Sequence, residues 1–113
     1  MKFLFLIHGD EAAEAAMTPD ERRATVGEYM AYRAMLRECG AYVLGEALEG
    51  RESAAVVRPG ERPFVTDGPF AETKEGVGGF YVECASREEA LELAGKVPPS
   101  PGAAVEVRPI VEF

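Results

Sequence analysis

The sequence predicts an α+β domain with the ferredoxin-like βαββαβ order of strands and helices. Two strongly apolar runs, residues 2–8 and 77–84, have the composition of strands that are buried on both faces of a sheet. Two helix-start signals, at Thr18 and Ser86, each follow one of these runs and precede another extended segment. The chain has 113 residues, so we expect one domain over its whole length, 1–113.

The first strand and the first helix have the clearest signals. Residues 2–8 form an apolar run that suits a central strand. Thr18 and Glu21 form a capping box around Pro19, and Gly40 supplies a left-handed stop, so we predict a long helix over residues 19–39. Its apolar stripe should follow the three- and four-residue spacing of a helix: Val26, Tyr29, Met30, Arg33 and Leu36.

The remaining elements complete the pattern and add a hairpin. We predict strands at residues 41–48, 77–84 and 104–110, and a second helix from Ser86 to about Val97. Two short extended arms, residues 54–58 and 63–66, flank Pro59-Gly60-Glu61 and predict an inserted hairpin. Pro109 suits an edge strand. Because crossovers are right-handed, the first and third major strands should be the central ones.

Side-chain alternation divides the predicted sheet into two faces. The face toward the helices should carry Phe3, Phe5, Ile7, Phe80, Val82, Cys84, Val105 and Val107. The opposite face should carry Leu4, Leu6, His8, Tyr81, Glu83, Glu106 and Arg108, with Leu44 and Glu46 beside them. This second face is too apolar to be left exposed to water and too polar to form a water-free core. We therefore expect a homodimer that packs sheet to sheet around a semi-polar cavity.

Composition excludes several classes of partner. The chain has 12 Lys and Arg against 20 Asp and Glu, a net charge of −8, which disfavours nucleic acids and anionic membranes. The RNA-recognition motif has the same element order, but residues 79–82 contain no basic residue. The apolar start is too short for a signal peptide, and no run is long enough to span a membrane, so we expect a cytoplasmic protein.

The sequence predicts neither a metal nor a cofactor. His8 is the single histidine, and scattered carboxylates do not form a recognisable set of ligands. Gly78 and Gly79 lead into a strand, whereas a phosphate-binding loop leads into a helix. Cys39 and Cys84 lack metal-ligand or redox spacing, so we interpret both as reduced thiols of the core.

One segment resembles a known family. Residues 65–75, Val-Thr-Asp-Gly-Pro-Phe-Ala-Glu-Thr-Lys-Glu, are similar to the DGPF branch of the YCII-related family, and so are residues 6–11, 78–81 and 105–109. The resemblance covers essentially the whole chain. It implies a ferredoxin-like protomer in a dimeric α+β barrel. Members of this branch are often encoded beside extracytoplasmic-function sigma factors, which implies a regulatory role in a sigma-factor circuit.

The resemblance also implies a pair of catalytic residues that this chain lacks. In the broader family a His on the first helix is paired with an Asp just before the last strand. Counting back from Gly40, the helix position holds Tyr29, and residues 97–102 contain no Asp. Catalysis by analogy with the family is therefore not supported.

Each candidate residue has a structural and a functional interpretation. His8 is either a hydrogen-bonded residue at a strand end or a proton carrier facing the cavity. Asp67 is either a turn-former or a general base. Glu106 and Arg108 can pair with each other, or with Glu83, inside the barrel. The candidate ligand-pocket residues are His8, Tyr29, Asp67, Gly68, Pro69, Phe70, Glu72, Lys74, Tyr81 and Arg108.

Simpler roles remain open for the loop within this set. Gly68 and Pro69 can serve chain geometry, Phe70 can fill the core, and Glu72 and Lys74 can lie on a solvated loop. The loop leads into the third major strand, whose start should adjoin the end of the first strand. We therefore predict that the Asp67–Lys74 loop covers one end of the cavity and that His8 and Asp67 share it.

Three functions are consistent with the sequence. The first is a domain that binds a small organic ligand in the barrel cavity. The second is an enzyme acting on a small organic molecule, with acid–base chemistry by His8 and Asp67. The third is a structural dimer without a ligand. The missing catalytic pair favours the binding domain, and the sequence leaves open whether the chain is an enzyme.

Overall fold

The fold follows the predicted order of elements. The computed structural model describes residues 1–68, 76–100 and 102–113. The elements are β1 (Lys2–His8), α1 (Glu11–Ala15), α2 (Pro19–Glu38), β2 (Tyr42–Ala47), a 3-10 turn (Arg51–Ser53), β3 (Ala55–Arg58), β4 (Phe64–Asp67), β5 (Gly76–Glu83), α3 (Arg87–Ala94) and β6 (Ala104–Pro109). The predicted α+β, ferredoxin-like architecture is confirmed. The ends of the strands and helices lie within three residues of the predicted ones, and those of β1 match the prediction.

The main sheet is antiparallel, with strand order β2-β5-β1-β6. The two most apolar strands, β1 and β5, are therefore central, as predicted. Pro109 ends β6, which is an edge strand and so does not need the amide hydrogen that proline lacks. Strands β3 and β4 form the predicted hairpin as a separate two-stranded sheet.

The core lies between one face of the main sheet and the helices α2 and α3. The residues of the sheet that were predicted to face the helices are buried or pack against the core, including Phe3, Phe5 and Val82. From the helices, Leu36 and Leu93 are buried in the same cluster. Burial of each large apolar side chain contributes about 1.5–3 kcal/mol, so this layer stabilises the fold.

Helix α2 begins and ends at the predicted signals, but the side of the helix that packs on the sheet differs from the predicted one. The side chains of Thr18 and Glu21 form both hydrogen bonds of the capping box, and Gly40 has a φ of 77°. The buried residues of α2 are Tyr32 and Leu36. The predicted burial of Val26 and Met30 is wrong, because these side chains are 58% and 65% exposed.

Helix α1 was not predicted. Asp10 caps it: one carboxylate oxygen accepts hydrogen bonds from the amides of Ala12 and Ala13 at 3.0 and 3.2 Å. Aspartate is a favoured N-cap residue, so Asp10 marks the start of this helix.

Both cysteines are free thiols, but only one packs on the core. Cys84 is half-buried against the core cluster. The prediction that Cys39 belongs to the core is wrong, because it is exposed at the C-terminal end of α2. In the part of the chain that is described, no helix has the length and apolar composition needed to cross a membrane.

The molecule is a thin slab. Its principal extents are 45, 44 and 18 Å, and its radius of gyration of 15.7 Å exceeds the value of about 13 Å typical of a compact domain of ~100 residues. Helices α2 and α3 both pack on one face of the sheet. The opposite face is called here the outer face.

Candidate functional site

A cleft of about 550 Å³ lies on the helix-facing side of the sheet, between α2 and the adjoining ends of β1, β2 and β5. Its apolar lining includes Ile7, Met17, Val26, Met30, Leu48 and Phe80. Its polar residues come mainly from α2, with one each from α1, β2 and the segment before β6. This volume lies within the range typical of sites for small molecules, about 300–1,000 Å³.

Aromatic rings from β5 and α2 form one wall of the cleft. The ring of Phe80 lies nearly parallel to that of Tyr29, with centroids 6.4 Å apart, and meets Tyr32 edge-on at 5.2 Å. Phe80 can take this position because its strand partner is Gly45, which has no side chain. Gly78 adds no side chain to the neighbouring part of the cleft. There is no space for one, since a Cβ there would lie 2.6 Å from the carbonyl oxygen of Glu46.

Two buried hydroxyl groups at the cleft have no hydrogen-bond partner among the described residues. Tyr29 and Ser100 both line the cleft, and the Tyr29 OH and Ser100 Oγ are buried without a partner among the described residues. The hydroxyl of Tyr32, which points elsewhere, donates to the carbonyl of Leu93 at 2.8 Å. A buried polar group without a partner costs about 1–3 kcal/mol, so native structures usually satisfy such groups. A molecule bound in the cleft could therefore supply the missing hydrogen-bond partners.

Charged side chains also line the cleft, and two of them donate to backbone carbonyls. Arg33 donates from Nη2 to the carbonyl of Gly45 at 3.0 Å, and Arg22 donates from Nη2 to the carbonyl of Glu14 at 3.2 Å. Glu14 and Glu46 also line the cleft, so basic and acidic groups are balanced there. In the described part of the chain, no charged side chain is fully buried.

Burial and nearby carboxylates keep the Tyr29 phenol protonated. Desolvation raises the pKa of Tyr29 above its usual value, and the charges of Glu14 and Glu28 raise it further. Tyr29 therefore retains its hydroxyl hydrogen at neutral pH, where it can both donate and accept a hydrogen bond.

The outer face carries the predicted mixture of apolar and charged groups. Tyr81 pairs with Leu4 across β5 and β1, and Leu4 pairs with Arg108 on β6. Leu4, Leu6 and Tyr81 are half-buried, whereas Leu44 on β2 is 53% exposed. The expected pairing of Arg108 with Glu106 is confirmed, with Arg108 Nε 3.4 Å from Glu106 Oε2. Glu83 lies opposite Lys2, and no ion pair of Glu83 is seen among the described residues.

His8 lies beside Glu106 at the end of β1. Its Nε2 is 3.2 Å from Glu106 Oε1, which gives a hydrogen bond, or an ion pair when the imidazole is protonated. The interpretation of His8 as a hydrogen-bonded residue at a strand end therefore matches the structure. His8 and Tyr29 are on opposite faces of the sheet, so the structure does not bring these two candidates together.

Asp67 and Gly68 end the hairpin. Asp67 pairs with Ala55, and the amide of Gly68 donates to the carbonyl of Ala54 at 2.7 Å. Gly68 has a φ of 92°, which favours glycine and agrees with its predicted role in chain geometry. Asp67 belongs to the hairpin sheet and His8 to the main sheet, and no hydrogen bond joins them in the described part of the chain. The other loop candidates, Pro69, Phe70, Glu72 and Lys74, lie outside the described residues.

Sequence reasoning placed Tyr29 among the candidates but missed the rest of its cleft. Tyr29 was a candidate because, counting back from Gly40, it occupies the helix position at which the family resemblance implies the catalytic His. Ser100 lies in residues 97–102, where the resemblance implies the second catalytic residue, but a serine between two prolines has no pattern of its own. The structure thus lines one cleft with hydroxyl residues from both marked regions. Among the described residues, no three His, Cys, Asp or Glu side chains cluster to hold a metal ion.

Comparison with known proteins agrees with the fold and with the resemblance. The model of the YCII-related domain matches residues 1–113. An uncharacterised protein of Rhizobium meliloti (strain 1021) is 36% identical over 119 aligned residues, covering 100% of this chain and 94% of the relative. The match extends over every element of the sheet and over both helices that cover it. The chain belongs to the YCII-related family.

Proposed function

We propose that the chain is a homodimeric domain that binds a small organic molecule, and that the molecule enters the cleft beneath α2. One observation carries this proposal: the buried, unpartnered hydroxyls of Tyr29 and Ser100 line the same apolar cleft. An apolar cleft with a few converging polar groups is the usual form of a small-molecule site. A ligand that hydrogen-bonds to these groups would recover about 0.5–1.5 kcal/mol for each bond.

Binding explains the cleft better than catalysis does. A tyrosine whose pKa is raised by burial does not give up its proton readily near neutral pH. Tyr29 and Ser100 together are well suited to orienting a bound molecule. A binding domain also suits the regulatory role that the resemblance implies.

The test is a thermal-shift screen of small organic compounds against three proteins. These are the wild type, Tyr29→Phe and Tyr81→Phe, which each remove one hydroxyl on opposite faces of the sheet. We expect compounds that raise the melting temperature of the wild type and of Tyr81→Phe, but raise that of Tyr29→Phe less. A ligand that depends on Tyr81 and is indifferent to Tyr29 would move the site to the barrel cavity. If a broad screen finds no ligand, the proposal is wrong.

The outer face supports the dimer. It exposes Leu44 and leaves Leu4, Leu6 and Tyr81 half-buried, while both long helices cover the other face. Its charged groups Glu106 and Arg108 already pair with each other, which lowers the cost of removing them from water. A second copy placed against this face would complete a two-layer barrel. Light scattering at micromolar concentration should give the mass of a dimer.

A second candidate, acid–base catalysis on the outer face, is favoured by the contact between His8 and Glu106. A carboxylate that hydrogen-bonds to an imidazole orients the ring, as in many general bases. If any ligand from the screen is turned over, His8→Ala should abolish turnover, and Asp67→Ala should do so only if the two residues share a site. Turnover that persists in His8→Ala would exclude this role.

A further inference from the structure

We infer that the molecule bound in the cleft is neutral and aromatic, and that it carries a hydroxyl or carbonyl oxygen. This inference rests on the proposed function and adds the chemical class of the ligand. Three properties of the cleft support it: the charges that line it, the shape and flexibility of its walls, and the hydrogen bonds that its two hydroxyls can form.

The cleft has no excess of either charge. Its buried side-chain oxygens without a partner among the described residues are the hydroxyls of Tyr29 and Ser100, and no charged side chain of the described residues is fully buried. The basic residues that line it, Arg22 and Arg33, are matched by the acidic Glu14 and Glu46. Taking an unpaired carboxylate or ammonium group into such a place is costly. The buried part of the ligand should therefore be uncharged.

The walls favour a flat ring. Phe80 and Tyr29 present nearly parallel rings on one side, and Met17 and Met30 line the cleft as flexible, polarisable side chains. Thioether sulfurs make favourable contacts with aromatic rings and adapt to irregular shapes. Met30 is 65% exposed, so it can move over a ligand without disturbing the core. A cleft of about 550 Å³ has room for a molecule of two fused rings.

The two hydroxyls select the polar group of the ligand. A tyrosine or serine hydroxyl can donate one hydrogen bond and also accept one. A carbonyl oxygen on the ligand can accept from either hydroxyl, and a ligand hydroxyl can also donate to one of them. A pure hydrocarbon would fill the same space and leave both groups unsatisfied, so it should bind more weakly.

Three probes of nearly the same shape test this class: naphthalene, 2-naphthol and 2-naphthoate. Affinities would be measured at neutral pH by ligand-detected NMR titration on wild type, Tyr29→Phe and the control Tyr42→Phe, which changes a tyrosine of β2 that does not line the cleft. We expect 2-naphthol to bind best to the wild type. Tyr29→Phe should weaken 2-naphthol by about 2- to 12-fold, the range for one hydrogen bond, and leave naphthalene unchanged. Tyr42→Phe should leave all three affinities unchanged.

The other outcomes separate the ligand class from the proposed function. Tightest binding by 2-naphthoate would overturn the inference and point to an anion held by the arginines that line the cleft. If no naphthalene probe binds but another compound from the screen binds in a Tyr29-dependent way, the ligand class is wrong and the proposed function stands. If no ligand of any class responds to Tyr29→Phe, both are wrong.

Discussion

The ring of Phe80 occupies the space that a side chain at Gly45 would need. A Cβ at Gly45 would lie 2.4 Å from Cδ1 and 2.5 Å from Cε1 of that ring, and the two residues are paired across β2 and β5. The carbonyl of Gly45 also accepts a hydrogen bond from Arg33 of α2. Strand β2, strand β5 and helix α2 therefore meet at this glycine, and the wall of the cleft depends on it.

Gly45→Ala should destabilise the protein by about 1–3 kcal/mol, the usual cost of overpacking, because the Phe80 ring must leave its place against Tyr29 and Tyr32. The matched control is Gly27→Ala. Gly27 lies on α2 with no atom within 4 Å of the added Cβ, so alanine there should stabilise the helix by about 0.8–1 kcal/mol. Urea unfolding measures both changes, and equal effects of the two substitutions would contradict the packing argument.

Two tyrosines of α2 should respond in opposite ways to loss of the hydroxyl. Tyr32→Phe removes the hydrogen bond from the Tyr32 hydroxyl to the carbonyl of Leu93, which still accepts from the amide of Lys96, so it should cost about 0.5–1.5 kcal/mol. Tyr29→Phe removes a hydroxyl that has no partner in the described part of the protein, so stability without ligand should stay the same or increase. Melting temperatures of the two variants give a direct comparison. A marked loss of stability in Tyr29→Phe would mean that its hydroxyl has a structural partner.

Alkaline pH should lower stability through these tyrosines. Desolvation raises the pKa of Tyr29 and of Tyr32 in the folded protein above the usual value near 10. The stabilising contribution is then complete below about pH 10, and it is lost as the pH rises from there toward the folded pKa, because only the unfolded chain ionises. Urea unfolding at several pH values above about 9 should show a shallower decline for Tyr32→Phe than for the wild type. Identical slopes would show that Tyr32 does not titrate differently in the two states.

The central strands could be predicted because two independent signals agree. Right-handed crossovers place the first and third major strands in the middle of the sheet. These are also the two strands with apolar residues on both faces, at residues 3–7 and 80–82. Alternation then assigned Phe5 and Phe80 to the helix-facing side, and the structure buries both. Helix α2 was equally well marked, since Thr18 and Gly40 fix its two ends.

The orientation of α2 could not be predicted in the same way. The spacing of three and four residues fits Val26 and Met30 as well as it fits Tyr29, Tyr32 and Leu36. Only the packing of the helix on the sheet selects the second set, and the first set is left at the rim of the cleft. For the same reason the cleft itself was missed, because Ser100 joins it through tertiary contacts that no local pattern records.

Leu6→Asp should disrupt the dimer. Leu6 lies on the outer face between Gly79 and Glu106 of the neighbouring strands, so a dimer formed through this face would bury the new carboxylate beside an existing one. The cost of several kcal/mol is comparable to the whole stability of a small domain, so part of the protein should unfold as well as dissociate. The control is Leu91→Asp on α3, a residue that is 47% exposed on the helix side, which should keep the wild-type mass and melting temperature. Sedimentation at micromolar concentration distinguishes the states: a wild type that is monomeric, or a folded and dimeric Leu6→Asp, would show that the outer face is not the interface.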